Sequence, residues 1–92
     1  MDEIKEALRV IIYYNPLARK DLNNKDACKR CADARDRIIE LLEQSEPKVA
    51  TIYKEMKKRG TKTGCSECVD LGNFSIAYLL LLELGEKYSD SI

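Results

Sequence analysis

Two pairs of cysteines carry most of the chemistry that this sequence offers. Cys28 and Cys31 form one C-x-x-C unit, and Cys65 and Cys68 form another. Together the four thiols match the ligand set of a tetrahedral zinc ion, which takes four soft ligands at ~2.3 Å. They can also form structural disulfides, stay reduced in a core or bind an iron–sulfur cluster. We expect a structural zinc site at these four residues, and disulfides are the main alternative.

The spacing of the two units departs from that of familiar zinc clips. Thirty-three residues separate them, whereas such clips are usually ~12–20 residues apart. Ribbon-type clips often have glycine after the second cysteine, but Ala32 and Val69 stand there in this chain. Both units resemble the first turns of helices, where the helix dipole and unpaired N–H groups favour thiolate. The sequence therefore predicts a staple that ties two helices, and it leaves open whether metal or disulfides close the staple.

Catalysis by a cysteine pair is a further interpretation. Helical C-x-x-C redox enzymes usually add a nearby histidine or an aromatic flavin pocket, and this chain has no histidine and no tryptophan. It also has no phosphate-binding loop and no nucleophile paired with a base. We expect a protein without enzymatic activity, and a thiol redox protein is kept as an alternative.

A basic segment is the second constellation. Five cations crowd residues 54–62, and two more lie inside the first cysteine unit. The seven residues are Lys29, Arg30, Lys54, Lys57, Lys58, Arg59 and Lys62. If the two cysteine units meet, these cations would share one face, and each could release a counterion from phosphate. The simpler interpretation is a solvated helix end whose cations complement the dipole, so a nucleic-acid-binding regulator is the alternative function.

The overall composition excludes a strong global field. Sixteen basic residues balance sixteen acidic ones among 92 residues, so the chain as a whole is not drawn to nucleic acid or to an anionic membrane. The high charged fraction with few amides is a thermophile-like balance. The charged N-terminus lacks the apolar core of a secretory signal, and the longest apolar run, residues 76–82, is far shorter than the ~18 residues that span a bilayer. We expect a cytoplasmic protein that does not enter membranes.

Apolar residues recur at helical spacing along the whole chain. Helices are predicted over residues 2–14, 25–44 and 47–60 and from residue 65 to about residue 84. Asn15-Pro16 should end the first helix and start a short helical turn to Leu22. Gly60 should end the third helix, and Gly72-Asn73 is a candidate interruption of the fourth. The prediction is one all-α, four-helix bundle-like domain over residues 1–92, packed up-and-down or orthogonally, with the C-x-x-C pairs at the starts of helices two and four.

The fourth helix is too hydrophobic for an ordinary surface helix. Every residue from 76 to 82 is apolar, so the helix must be covered on all sides, while the other three have narrow apolar stripes. We expect a homodimer that covers the remainder through Ile76, Leu79, Leu80 and Leu84. The alternative is a central core helix in a monomer. The predicted function is a non-enzymatic interaction or regulatory module, with a further protein partner that the sequence does not identify.

Overall fold

A computed structural model describes the backbone of residues 2–21, 24–63 and 65–91, and the side chains of residues 2–21, 24–58 and 69–85. These ranges contain four helices and no strand. The helices are α1 (Asp2–Lys20), α2 (Lys25–Leu42), α3 (Pro47–Thr63) and α4 (Cys65–Ser91). The prediction of an all-helical fold with four helices is confirmed.

Local signals account for several of the helix ends. Asp2 and Glu3 lie in the first turn of α1, where the partial positive charge of the helix N-terminus favours carboxylates. The side chain of Asn24 caps α2 by accepting a hydrogen bond of 3.2 Å from the backbone N–H of Ala27. α3 begins at Pro47, whose fixed φ suits the first helical position.

α1 continues through Asn15-Pro16, where the sequence pattern predicts a break. Proline removes one backbone hydrogen bond and its ring crowds the preceding turn, which disfavours the helix interior. In α1 this cost is offset by packing, since Asn15 and Ala18, on either side of Pro16, are both buried. The predicted end at Gly60 and the candidate interruption at Gly72 are also absent: α3 runs to Thr63 and α4 is continuous. At Pro16 and Gly72, tertiary contacts outweigh the local helix-breaking signals.

The helices form a ring in which each packs against two others. α1 contacts α2 and α4, and α3 also contacts α2 and α4; within the described ranges α2 and α4 do not touch. Neighbouring helices run antiparallel. Glu3 near the start of α1 lies 3.7 Å from Arg37 near the end of α2, and Asn15 near the end of α1 lies against Gly72 in the first part of α4. The arrangement is an up-and-down bundle with α2 and α4 on opposite corners.

The core lies between the four helices and draws on them unequally. Its fully buried large side chains are Leu8, Ile11, Ile38, Leu42, Tyr53 and Met56, together with the smaller Ser75. The first six come from α1, α2 and α3, whereas α4 contributes a serine at the same depth. The most apolar helix of the bundle therefore leaves much of its hydrophobic surface outside the core.

Candidate functional site

The first cysteine pair is divided between core and surface. Cys28 is exposed, whereas Cys31 is buried and its Sγ lies 4.0 Å from the carbonyl oxygen of Ile11, to which the thiol donates a weak hydrogen bond. The two cysteines are not bonded to each other. From the apolar spacing of α2 we expect both cysteines to lie in its buried stripe; this is wrong for Cys28, because Ala27 takes the inward position one residue earlier.

The second cysteine pair consists of Cys65 and Cys68, whose side chains lie outside the described residues. Among the side chains that are described, no group of three or more His, Cys, Asp or Glu residues is arranged to hold a metal ion. The four-cysteine site stays a prediction.

Two lysines of the basic segment pair with acidic residues of α2 and its C-cap. The Nζ of Lys54 lies 2.9 Å from the Oε1 of Glu43, the C-cap residue of α2, and the Nζ of Lys57 lies 3.2 Å from the Oδ1 of Asp36 within α2. Both lysines therefore link α3 to α2. Lys58 is exposed on the same helix. The side chains of Arg59 and Lys62 lie outside the described residues. The described part of this segment is an ion-paired seam between two helices.

The two cations of the first cysteine unit are both exposed, and Arg30 has defined partners. Its Nε donates to a carboxylate oxygen of Asp26 at 3.1 Å, and its guanidinium lies 5.1 Å from the ring centre of Tyr14. The hydrogen bond and the charge of Asp26 raise the pKa of Arg30. Lys29 is exposed on the same turn of α2. Arg30 is thus engaged within the protein.

The outer face of α4 is a continuous apolar strip. Exposed fractions are 45 % for Ile76, 54 % for Leu80, 68 % for Leu81 and 49 % for Leu84, and Ala77 is exposed between them. These five residues are named the α4 strip. Isolated exposed leucines are ordinary on protein surfaces, but a contiguous set on one helix face is typical of an interaction site.

The strip shares three residues with the predicted interface, lacks Leu79, and adds Ala77 and Leu81. Ile76, Leu80 and Leu84 are exposed as the prediction requires, whereas Leu79 is partly buried and packs against the core. Leu81, the most exposed of these leucines, is missing from the prediction. Leu79 follows the buried Ser75 by four positions and so shares its inward side. The run of four leucines has no polar residue to mark its outward side, and a register counted from Ser75 would have identified Leu81.

The inner face of α4 is held by specific contacts. The hydroxyl of Tyr53 hydrogen-bonds that of Ser75 at 3.0 Å, with both residues fully buried. The rings of Tyr53 and Phe74 pack edge to face at 5.4 Å. Burial is the main cause that raises the pKa of Tyr53 to about 12, and the Ser75 hydrogen bond opposes it. These contacts fix α4 against α3.

A close approach fixes α4 against α1 on the other side. A Cβ at Gly72 would lie 2.6 Å from the Oδ1 of Asn15 and 3.0 Å from its Cγ. Asn15 is buried, so its short side chain has little room to withdraw. A side chain at this position would force the Asn15 side chain or the two helices to shift, so the available space favours glycine. Together with the α3 contacts, this orients α4 with its strip facing outward.

The other exposed large hydrophobics lie on the helices beside α4. They are Tyr13 and Leu17 on α1 and Ile52 on α3; among the described residues none lies on α2. The exposed large hydrophobics of the described residues therefore lie on α1, α3 and α4, and α4 carries four of the seven.

A shallow groove of about 460 Å³ lies between α1 and α2. Its rim carries Glu3, Glu6, Arg30, Asp33 and Arg37. Arg37 is paired with Glu3, and Arg30 is paired with Asp26. The groove is a mixed-charge helix seam and does not present a set of groups converging on one ligand.

Within the described part of the chain, no helix combines the length and apolar character needed to cross a bilayer. In comparisons with known proteins, no protein family, no curated protein and no solved structure matches this chain.

Proposed function

We propose that this protein is a non-enzymatic helical interaction module that forms a homodimer through the α4 strip. The observation that carries the proposal is the uninterrupted apolar outer face of α4 on a bundle whose other described surfaces are rich in charge. Water contact with such a face is unfavourable, and the most direct relief is burial against a similar face. A second copy of the chain always carries that face.

The size of the strip suits a reversible dimer. The exposed parts of its four large side chains correspond to about two whole aliphatic side chains per copy. Burying them in both copies contributes roughly 6–12 kcal/mol, at ~1.5–3 kcal/mol per side chain. Association costs roughly 4–15 kcal/mol in lost freedom. At the favourable ends of both ranges burial exceeds this cost by about 8 kcal/mol, which corresponds to a dissociation constant of about 1 µM. We therefore expect a reversible dimer whose dissociation constant is micromolar or weaker.

The test is the oligomeric state of the whole chain across concentration. Sedimentation equilibrium between about 1 and 500 µM should show a monomer–dimer equilibrium, because this range brackets a micromolar dissociation constant. Leu80→Glu places a charge in the centre of the strip and should give a monomer at every concentration. Leu17→Glu is the matched control, since Leu17 is similarly exposed but lies on α1, and it should leave the dimer intact.

Circular dichroism on both variants checks that the bundle remains folded. A wild-type chain that is monomeric throughout the range contradicts the proposal, as does a Leu80→Glu variant that dimerises like the wild type. The nucleic-acid alternative makes a separate prediction. Salt-sensitive binding to mixed duplex DNA that is lost when Lys57 and Lys58 are reversed in charge would favour it.

We also propose that the two cysteine pairs form a structural staple, with zinc favoured over disulfides. Two features support it. Alternate helices of an up-and-down bundle begin at the same end, so the starts of α2 and α4 share one end of the molecule. Opposite corners of a bundle lie only roughly 11–14 Å apart when neighbours are 8–10 Å apart, so an inward-facing cysteine such as Cys31 can approach a partner from the start of α4. Cys28, which is exposed, would have to turn inward to complete the site.

Metal content and thiol accessibility test the staple together. Freshly purified chain should hold one zinc ion, and alkylation should proceed only after denaturation with a chelator. Cys28→Ser should lower the zinc content, whereas Ser66→Ala, inside the second unit but without a thiol, should not. Four thiols that alkylate readily in metal-free native protein would contradict the staple, and a denatured, metal-free mass lower by two or four hydrogen atoms would assign it to disulfides. Reduction of a test disulfide by the reduced chain would support the redox alternative.

A further inference from the structure

We infer that two copies associate by crossing their α4 helices about a two-fold axis, each seating its bulky ridge in the other's groove beside Ala77. This inference rests on the proposed function and adds the geometry of the partner's approach. It follows from the way large and small residues are distributed over the outer face of α4.

The outer face of α4 consists of two neighbouring rows of residues spaced four apart. One row is bulky throughout and comprises Ile76, Leu80 and Leu84. The other has polar or small residues at three of its four positions and a leucine at the fourth; it comprises Asn73, Ala77, Leu81 and Gly85. All seven positions are exposed. A Cβ at Gly85 would meet no atom within 4 Å, so the space beside the small row is open.

This distribution selects one class of helix packing. A coiled-coil seam would need large residues at alternating steps of three and four. Two such seams pass through Leu80: one includes the smaller Asn73 and Ala77, and the other includes the charged Glu83. The row spaced by four is the unbroken one. Packing of such rows against each other is the commonest class in globular proteins and crosses helices at about −50°.

The same helix supplies both the ridge and the groove. Ala77, Leu80, Leu81 and Leu84 stand at i, i+3, i+4 and i+7, so they surround one depression, or hole, in the groove between the two rows, where a side chain of a facing helix can sit. The small Ala77 side leaves the hole open, and Leu80 is the central residue of the ridge. A surface that is complementary to itself in this way pairs through a two-fold axis, in which residue i contacts j and j contacts i. The occupant is therefore a second copy of this chain.

Overpacking of the hole is the first test. Ala77→Leu makes the strip more apolar but fills the hole, so the dissociation constant should rise roughly tenfold or more, as expected when extra methylenes enter a packed contact. Ala77→Ser preserves the size and should change the dissociation constant by less than about threefold. If Ala77→Leu instead tightens the dimer, the strip acts only by total hydrophobic area and the proposed packing is wrong.

Charge complementation is the second test. Near a two-fold axis at the centre of the crossing, Ala77 of each copy lies close to its counterpart. Ala77→Glu and Ala77→Lys should each be monomeric alone because like charges meet. An equimolar mixture should form a heterodimer, seen by native mass spectrometry with one chain ¹⁵N-labelled. Failure of the mixture to dimerise overturns the two-fold geometry.

The outcomes separate this inference from the proposed function. A wild-type monomer at all concentrations removes both. A wild-type dimer that Leu80→Glu disrupts, but that tolerates Ala77→Leu and shows no charge complementation, leaves the proposed function standing and overturns the geometry.

Discussion

The inner and outer faces of α4 differ in residue type and in what they contact. On the inner face, Gly72 and Ser75 meet one defined partner each, Asn15 at close approach and Tyr53 through a hydrogen bond. On the outer face, Leu80 and Leu81 are apolar and exposed. The inner face depends on exact size and on one polar pair, whereas the outer face depends on area. Stability of the single chain should therefore be controlled from the inner face and association from the outer one.

The same substitution on the two faces should give the largest contrast. Leu71→Ala removes a side chain that is 3 % exposed, and the resulting cavity should lower the free energy of unfolding by roughly 2–5 kcal/mol. Leu81→Ala removes one that is 68 % exposed and should change the monomer by less than about 0.5 kcal/mol. Urea unfolding at low protein concentration measures both. Equal losses would mean that the strip is covered within the monomer.

Alkaline pH should weaken the inner face through Tyr53. Below pH 10 the phenol is neutral in both the folded and unfolded states. Because the folded-state pKa is raised to about 12, only the unfolded chain ionises as the pH rises from 10 to 12. The free energy of unfolding should fall over this interval by about 2–3 kcal/mol from this group.

Tyr53→Phe is the control for the pH effect. The variant should be less stable by about 1–2 kcal/mol at neutral pH, because the buried hydroxyl of Ser75 loses its partner. Its remaining alkaline loss should be smaller than that of the wild type. Burial also raises the pKa of Tyr78, with a further contribution from the charge of Glu46, so some loss persists in the variant. Identical pH dependence in the two proteins would show that Tyr53 ionises normally in the fold.

Two glycines on α4 offer a matched pair with opposite signs. Gly72→Ala should destabilise the fold by roughly 1–2 kcal/mol, since the clash with Asn15 outweighs the gain in helix propensity. Gly85→Ala meets open space and should stabilise the monomer by roughly 0.5–1 kcal/mol. Thermal unfolding of both variants decides. A stabilising Gly72→Ala would contradict the close approach and would mean that Asn15 or the helices adjust at little cost.

The smallest effect belongs to the ion-paired seam away from α4. A double-mutant cycle on Lys54 and Glu43, each replaced by alanine, should give a coupling of about 0.2–1 kcal/mol that falls with salt, because the pair is solvent-exposed. Neither variant should alter association. A change in the dimer would place the interface at the α2–α3 side and contradict the contrast between the two faces of α4.

Periodicity predicts helix existence well in this chain and helix ends less well. The second helix begins at Lys25 as predicted, because Asn24 caps its start. It ends at Leu42, two residues before the predicted end. Breaks at Pro16, Gly60 and Gly72 are predicted from local preference and are not observed. Those preferences amount to a few kcal/mol at most. Burial of neighbours such as Ala18 and Leu71 offsets them, and burial is not visible in a local pattern.

The candidate sites show the same division. The excess of apolar residues in the last helix is plain from composition, and it predicts a surface that needs a partner. Which leucines form that surface is set by the inward direction of Ser75, which moves Leu79 toward the core and Leu81 outward. The split of Cys28 from Cys31 likewise follows from the rotation of α2 against α1.

The amino-acid pattern alone predicts the four helices, the balance of acidic and basic residues, the two cysteine units and the excess of apolar residues in the last helix. Each of these is a property of composition or of neighbours along the chain. The rotation of each helix about its axis, and with it the outward face of α4, follows from contacts between residues far apart in sequence. Gly72 against Asn15 and Ser75 against Tyr53 fix that rotation. These long-range contacts decide which leucines of α4 are buried and which are exposed.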